Sequence, residues 1–184
     1  MVKVVVIQLT GSAKWGSKLK YIASRTEVIY GNRGNICSTD GGVLATSVPS
    51  YRIRFDLGAP AVRAVFKSEV DNLSEELSRL YTDKSKAQFK KELERAYKNK
   101  TRYYLVHPRK INFEELQRAR KFPIFERGRF KGGFMPEQEY VRVMPHGKMA
   151  YRTIGLLSKG EEGDQGNVGI SGIEKKYEEY LQGE

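Results

Sequence analysis

Residues 33–56, RGNICSTDGGVLATSVPSYRIRFD, place much turn chemistry directly in front of one strand. Asp40-Gly41-Gly42 is a turn signature, because glycine takes a positive φ at no steric cost. Beyond it Tyr51, Ile53 and Phe55 alternate with Arg52, Arg54 and Asp56. A period of two predicts a half-buried strand over 50–57. Turn followed by strand reads as scaffolding. Cys37 is the only cysteine, so it closes no internal disulfide, and neither a histidine nor a Cys-x-x-Cys partner lies beside it. A buried or half-buried structural thiol is expected there.

Working outward, VKVVVIQL (2–9) reads as a strand, GSKLKYIAS (16–24) as a short helix and RTEVIYG (25–31) as a second strand. Val70, Leu73, Leu77 and Leu80 recur at helical spacing behind Ser68, which predicts a helix over 68–81 capped by that serine. After a break at 82–85, Phe89, Leu93, Ala96 and Tyr97 mark a helix over about 86–98. RYYLVH (102–107) reads as a strand. Asn112 with Glu115 forms a capping-box signature ahead of FEELQRARKF. Residues 123–144 read as strand with glycine turns at 128 and 132–133, and 159–169 as a flexible loop. ISGIEKKYEEYLQG closes the chain as a helix with Ile173, Tyr177, Tyr180 and Leu181 on one side and Gly183 as its stop. Strands toward both ends with helices between them give an α+β fold.

The 184 residues carry 33 Lys and Arg against 22 Asp and Glu, a net charge of +11. The charges are interleaved, as in EELSRLYTDKSKAQFKKELERAYKNK, so a solvated surface accounts for most of them. No apolar run reaches the roughly 18 residues of a membrane span. His107 and His146 each stand alone, and no His/Cys cluster supports a metal. GSAKWGSK (11–18) has the outer spacing of a phosphate-binding loop, but Ser17 precedes Lys18, and the lysine leaves about 100° out of place. Ser17-Lys18-Leu19-Lys20 matches S-x-x-K, yet no S-x-N or K-T-G accompanies it, and it reads as a helix start.

Three stretches carry a family resemblance, in order. Arg33-Gly34-Asn35-Ile36, Gly41 and Leu44-Ala45 resemble R-G-x-I-x-D-R-x-G-x-x-L-A, the first N-terminal motif of class B penicillin-binding proteins. RVMPHGKMAYRTIG (142–155) resembles R-x-Y-P-x-G-x-x-A-x-x-x-I-G through Arg142, Pro145, Gly147, Ala150, Ile154 and Gly155. GISGIEKKYEEYLQG (169–183) resembles G-x-x-G-I-E-x-x-Y-E-x-x-L-x-G, with Gly172, Glu174, Tyr177 and Gly183 at motif positions. Ser38-Thr39 replaces the usual Asp-Arg, and Met144 the usual Tyr. The set resembles the septal transpeptidases more than the elongation ones.

The resemblance implies an elongated, non-catalytic pedestal or dimerisation domain. Its motif-bearing parts are 1–63 and 140–184, with a helical head, 64–139, inserted between them. It implies that the transpeptidase domain follows Glu184 and that a membrane helix precedes Met1, on the extracytoplasmic side of a bacterial inner membrane. The implied partners are the chain's own transpeptidase domain, division and cell-wall membrane proteins, and a second copy; no nucleic acid, cofactor or metal is implied. No paired nucleophile and base supports an enzyme in this chain. The alternative is a basic nucleotide- or nucleic-acid-binding domain, whose binding would weaken with salt or depend on Lys18. Arg33, Arg142 and Glu174 are the charged motif positions, and a carboxylate between two guanidiniums would tie the first strand to the closing helix.

Overall fold

The computed structural model describes residues 31–159 and 167–182. The strand expected at 2–9, the helix at 16–24, nearly all of the strand at 25–31, and Gly183 lie outside them.

The opening stretch folds as a hairpin. Strand β1 (Ile36–Cys37) turns back into β2 (Val43–Phe55), with Ile36 opposite Ala45. The Ser38 amide donates to Gly42 O at 2.8 Å, and Gly41 sits at φ +86°. The Asp40 carboxylate accepts from the Ser38 hydroxyl and, at 3.4 Å, from the Gly42 amide. This short Asx-type bond closes the turn with the residues standing where the motif has Asp-Arg. Ile36 points inward, so its neighbour Cys37 points outward: the thiol is exposed, which corrects the expected buried or half-buried placement.

Strand β2 starts earlier than the alternation at 50–57 indicates. Val43–Pro49 shows no clean inside-outside period, and its strand state comes from pairing. β4 (Phe134–Val143) runs antiparallel to β2 from Thr46↔Val143 to Phe55↔Phe134. On the other side of β2, β3 (Tyr104–Leu105) pairs with Arg54 and Phe55. β3 is all that becomes strand in the 102–107 stretch. Diagonal ion pairs, Arg52–Glu139 and Arg54–Glu137, each at 3.0 Å, link β2 to β4.

Helix α1 (Pro60–Tyr81) begins well before Ser68, which lies inside it and donates to Val65 O at 2.9 Å. Pro60 is pre-set for the first helical position and lacks the amide that would go unpaired there. The Asp56 carboxylate, accepting from the Gly58 and Ala59 amides at 2.9 and 3.1 Å, steers the chain into it. Val62 and Phe66 extend the buried stripe through Val70, Leu73 and Leu77. Helix α2 (Lys86–Lys98) opens on a Ser85/Gln88 capping box, and α3 (Phe113–Ala119) on the Asn112/Glu115 box. Phe66 of α1 stacks on Tyr97 of α2, centroids 4.3 Å apart.

Ahead of β4 the chain is helical, correcting the strand reading of 123–133. A 3₁₀ turn (Phe125–Arg127) leads into α4 (Gly128–Gly132). The backbone requires it: Ile124 and Gly128 have φ of 69° and 74°, and a Cβ on Gly132 would lie 2.1 Å from Ile124 O. After β4 come α5 (Tyr151–Ile154) and β5 (Leu157–Lys159), which pairs with β6 (Asn167–Gly169). The ends of the expected 159–169 loop are therefore strand; residues 160–166 are outside the described set. The closing helix is two short ones, α6 (Gly172–Lys176) and α7 (Glu178–Leu181), broken at Tyr177. Tyr177 and Tyr180 are 49% and 82% exposed, so the expected apolar face reduces to Leu181 and the partly buried Ile173.

Two hydrophobic clusters result. The large one gathers Ile53, Phe55, Leu73, Leu77, Leu93 and Phe125 with their neighbours from α1 to β4. The small one holds Ile36, Ala45, Ile154 and Leu181. Strand β2 contributes to both.

Candidate functional site

Beside the small cluster four charges form a chain: Glu178, Arg33, Glu174, Arg142. Arg33 precedes β1, Arg142 is in β4, Glu174 in α6 and Glu178 in α7. The Glu174 side chain is fully buried, and it splits its oxygens: Oε2 accepts from Arg33 Nε at 2.6 Å and Oε1 from Arg142 Nε at 2.8 Å. Arg33 uses every N–H it has. Nη1 donates to Asn167 O and Glu178 Oε1, both at 3.0 Å, while Nη2 donates to Glu174 O at 2.9 Å and Glu178 Oε2 at 2.7 Å. A planar guanidinium matches this spread of acceptors where an ammonium would not. Arg142 Nη1 donates to Gly34 O at 2.7 Å and Ser47 Oγ at 3.2 Å, so it also holds the chain entering β1.

Two cations and two anions leave the cluster neutral, and alternation puts each charge beside its opposite. Burial alone would lower the pKa of Arg33, but hydrogen bonds to Glu178 and Glu174 and their charges outweigh it and leave it raised. The Arg33 hydrogen bond is the main cause that holds Glu178 below the ordinary carboxylate range, with the Gly169 amide helping. Buried ion pairs add little stability relative to apolar packing, because desolvation offsets attraction; removing one partner is what costs heavily.

Glycines make the approach possible. A Cβ on Gly155 (φ +97°) would lie 1.9 Å from Ser171 O, and one on Gly172 (φ +63°) would lie 2.5 Å from Thr153 O. Gly169 would meet Glu174 O at 2.2 Å, and its amide donates to Glu178 Oε2 at 2.8 Å. The close contact of α5 with α6, and of β6 with α6, thus requires residues without side chains.

The motif residues divide by position. Arg33, Arg142 and Glu174 meet, across 141 residues between the first and last. Gly34 donates its amide to Leu181 O at 2.8 Å, which ties the entry of β1 to the end of α7. Ile36 and Ala45 are buried in the small cluster and Leu44 packs against it. Gly41, Pro145 and Gly147 stay outside the cluster, in turns; Gly147 (φ +61°) donates to Met144 O at 3.0 Å. Tyr177 is half exposed at the break between the two short helices, against the Tyr180 ring at 6.2 Å. Glu178 is not among the charged positions named from the sequence, although the last motif carries an acid there, four residues after Glu174, and that spacing would put both carboxylates on one helical face. The carbonyls of Asn167 and Gly34 and the Ser47 hydroxyl leave no such signal.

Among the described residues no three His, Cys, Asp or Glu are grouped to hold a metal. His107 is buried, stacked on Tyr81 at 4.2 Å, with Nε2 2.8 Å from Asp83. Its Nδ1 accepts the Arg109 amide at 3.0 Å, so Nε2 carries the proton and donates to Asp83. The Nε2 bond holds the loop before α3 to the turn that follows α1, and the Nδ1 bond is local to that loop. The charge cluster likewise holds segments together.

The family model described as the Penicillin-binding Protein dimerisation domain matches residues 28–184, and the chain belongs to that family. Among solved structures, Penicillin Binding Protein 2X from Streptococcus thermophilus is similar at 22% identity and a TM-score of 0.64, over 84% of this chain and 23% of that one. Penicillin-Binding Protein (PBP2) from Helicobacter pylori is similar at 22% identity and a TM-score of 0.47, over 87% of this chain and 30% of that one. No curated protein matches. The likeness to the first structure is one of α+β fold, and the chain spans about a quarter of its length.

Proposed function

We propose that this member of the penicillin-binding protein dimerisation domain family is the non-catalytic N-terminal region of a peptidoglycan transpeptidase acting at division. It holds the transpeptidase domain away from the membrane and presents surfaces to cell-wall and division membrane proteins, or to a second copy of itself. The motif-bearing parts, 1–63 and 140–184, form the pedestal; residues 64–139 form the head. The parent protein sits on the extracytoplasmic face, anchored by a helix preceding this chain. The observation that carries the reading is the four-charge cluster, in which motif residues from both ends of the domain are spent on a fully buried Glu174 bridging two arginines. Such a cluster fixes relative position and performs no reaction.

Intact-mass measurement after incubation with a β-lactam tests the assignment. The chain alone gains no adduct, since Ser17 has no S-x-N or K-T-G beside it. The full-length gene product gains one. In cells, Glu174→Ala in the full-length protein leaves penicillin acylation in place but reduces septal cross-linking. A stoichiometric adduct on Ser17 of the chain, or a full-length product that penicillin does not acylate, overturns the proposal.

A further inference from the structure

The segment between α3 and β4 spends backbone strain to present a phenylalanine to solvent. Phe130, in α4, is 86% exposed, the most exposed large hydrophobic side chain among the described residues. Underneath it Ile124 and Phe125 are 1% exposed, so the turn is anchored in the large cluster. Ile124 adopts φ +69°, a left-handed conformation that a β-branched residue rarely takes, and Gly128 and Gly133 follow at +74° and +60°. Strain of this kind persists where surrounding structure imposes it, and it concentrates at functional sites.

Cations flank Phe130 along the chain. Arg127, Arg129 and Lys131 are exposed beside Phe130, and Arg120 lines the same recess as Arg129. None of the four appears in an ion pair among the described residues; the same is true of Lys91, Arg95 and Lys98 on α2, which lack an exposed ring among them. Glu126 is the acid within the turn. Arg118 and Lys121 face Glu75 and Glu76 across a neighbouring recess and add little to the excess.

We propose that this basic, phenylalanine-tipped knuckle docks the head on an anionic phospholipid surface. A protruding ring between unpaired long-stemmed cations suits an interface where the apolar group enters the headgroup boundary and the charges stay level with phosphates. Mobile headgroups supply a phosphate to each cation at any azimuth. Only the presence of a membrane nearby rests on the proposed function, because the surface chemistry stands on these residues alone.

Sedimentation with sucrose-loaded vesicles tests it, using the full chain. Vesicles with one-third phosphatidylglycerol in phosphatidylcholine bind it at 0.1 M salt, weakly at 0.5 M, and pure phosphatidylcholine does not. Each cation lost costs about fivefold, and reversal costs more than loss, so Arg127→Glu with Arg129→Glu and Lys131→Glu lowers binding by at least about a hundredfold. Phe130→Ala lowers it by roughly tenfold, the loss expected for an apolar side chain left in water. The control Lys91→Glu with Arg95→Glu and Lys98→Glu, the same charge change on α2, has a much smaller effect. An equal loss in the control, or an unchanged affinity for Phe130→Ala, overturns the proposal. So does polyglutamate that binds the chain as tightly as the vesicles and without regard to Phe130, which would point to an acidic protein partner. A β-lactam result against the proposed function leaves this readout intact.

Discussion

At one end of β2, Ile53 and Phe55 are fully buried among the side chains of three helices; at the other, Ala45 belongs to a cluster of four buried apolar residues with a chain of four charges beside it. The first end is held by area removed from water. It is non-directional, tolerant of how each residue is packed, and supplied by many positions at once. The second end has too few apolar side chains for that and is held by direction: two guanidiniums, two carboxylates and backbones in near contact at Gly155, Gly169 and Gly172. The same strand thus joins a region held by many interchangeable apolar contacts with one where a few atoms decide the geometry.

The comparison is tested hardest at Glu174. Glu174→Ala leaves Arg33 and Arg142 buried without their shared partner and should cost about 3–5 kcal/mol, measured by denaturant unfolding. Glu174→Gln keeps one acceptor and should fall between the variant and the native chain. In the Arg33→Ala with Glu174→Ala double-mutant cycle, the coupling energy should be several times that of a surface pair. A coupling indistinguishable from zero would reduce the cluster to solvated charges. In the large cluster, Leu77→Ala should cost about 3 kcal/mol, through lost burial and a cavity, with no dependence on salt. If Leu77→Ala were the costlier, the contrast between the two ends would fail.

A smaller effect isolates backbone from packing. Gly41 has φ +86° with open space where a Cβ would go, so Gly41→Val should cost about 1–2 kcal/mol from conformation alone. An unchanged unfolding midpoint would mean the turn relaxes freely. The smallest effect separates the ends by pH. Glu178 has its pKa depressed in the folded state, so its contribution is complete above the unfolded carboxylate value near 4.5 and is lost as pH falls through the lower folded value. Partly exposed as it is, it should contribute less than about 1 kcal/mol. Glu178→Gln should flatten the acid limb of stability between about pH 5 and 3, while Leu77→Ala shifts the whole curve down without changing that slope.

The same contrast governs what could be read from the residues. Apolar periodicity locates α2 and most of α1, and the Asn112/Glu115 box locates α3, because burial on one helical face leaves a repeating mark. Ser68 misplaces the start of α1 because serine is a good cap wherever it stands, while Pro60, with Val62 and Phe66 behind it, is the stronger start. The charge cluster leaves no period. Arg33, Arg142, Glu174 and Glu178 stand out only through short motifs, and the spacing of four between the two glutamates adds a further sign. The helical turn at 125–132 is hidden because its glycines read as strand punctuation, whereas they serve positive φ and close approach. Tyr177 and Tyr180 fit a helical face by spacing, but the chain breaks at Tyr177 before that face forms.

The ribbon of β2 and β4 has a mechanical consequence. Its ten registered pairs run from Thr46↔Val143 beside the charge cluster to Phe55↔Phe134 in the large cluster. Rungs of an antiparallel ladder lie across the strands, so tension applied along them loads the rungs in shear, and many must yield together. The diagonal bonds from Arg52 to Glu139 and Arg54 to Glu137 brace the same direction. A one-residue slip would turn Ile53 and Phe55 out of the core, which removes creep as a way to relax. The ribbon therefore resists extension along its length, and a displacement imposed at one end is carried toward the other.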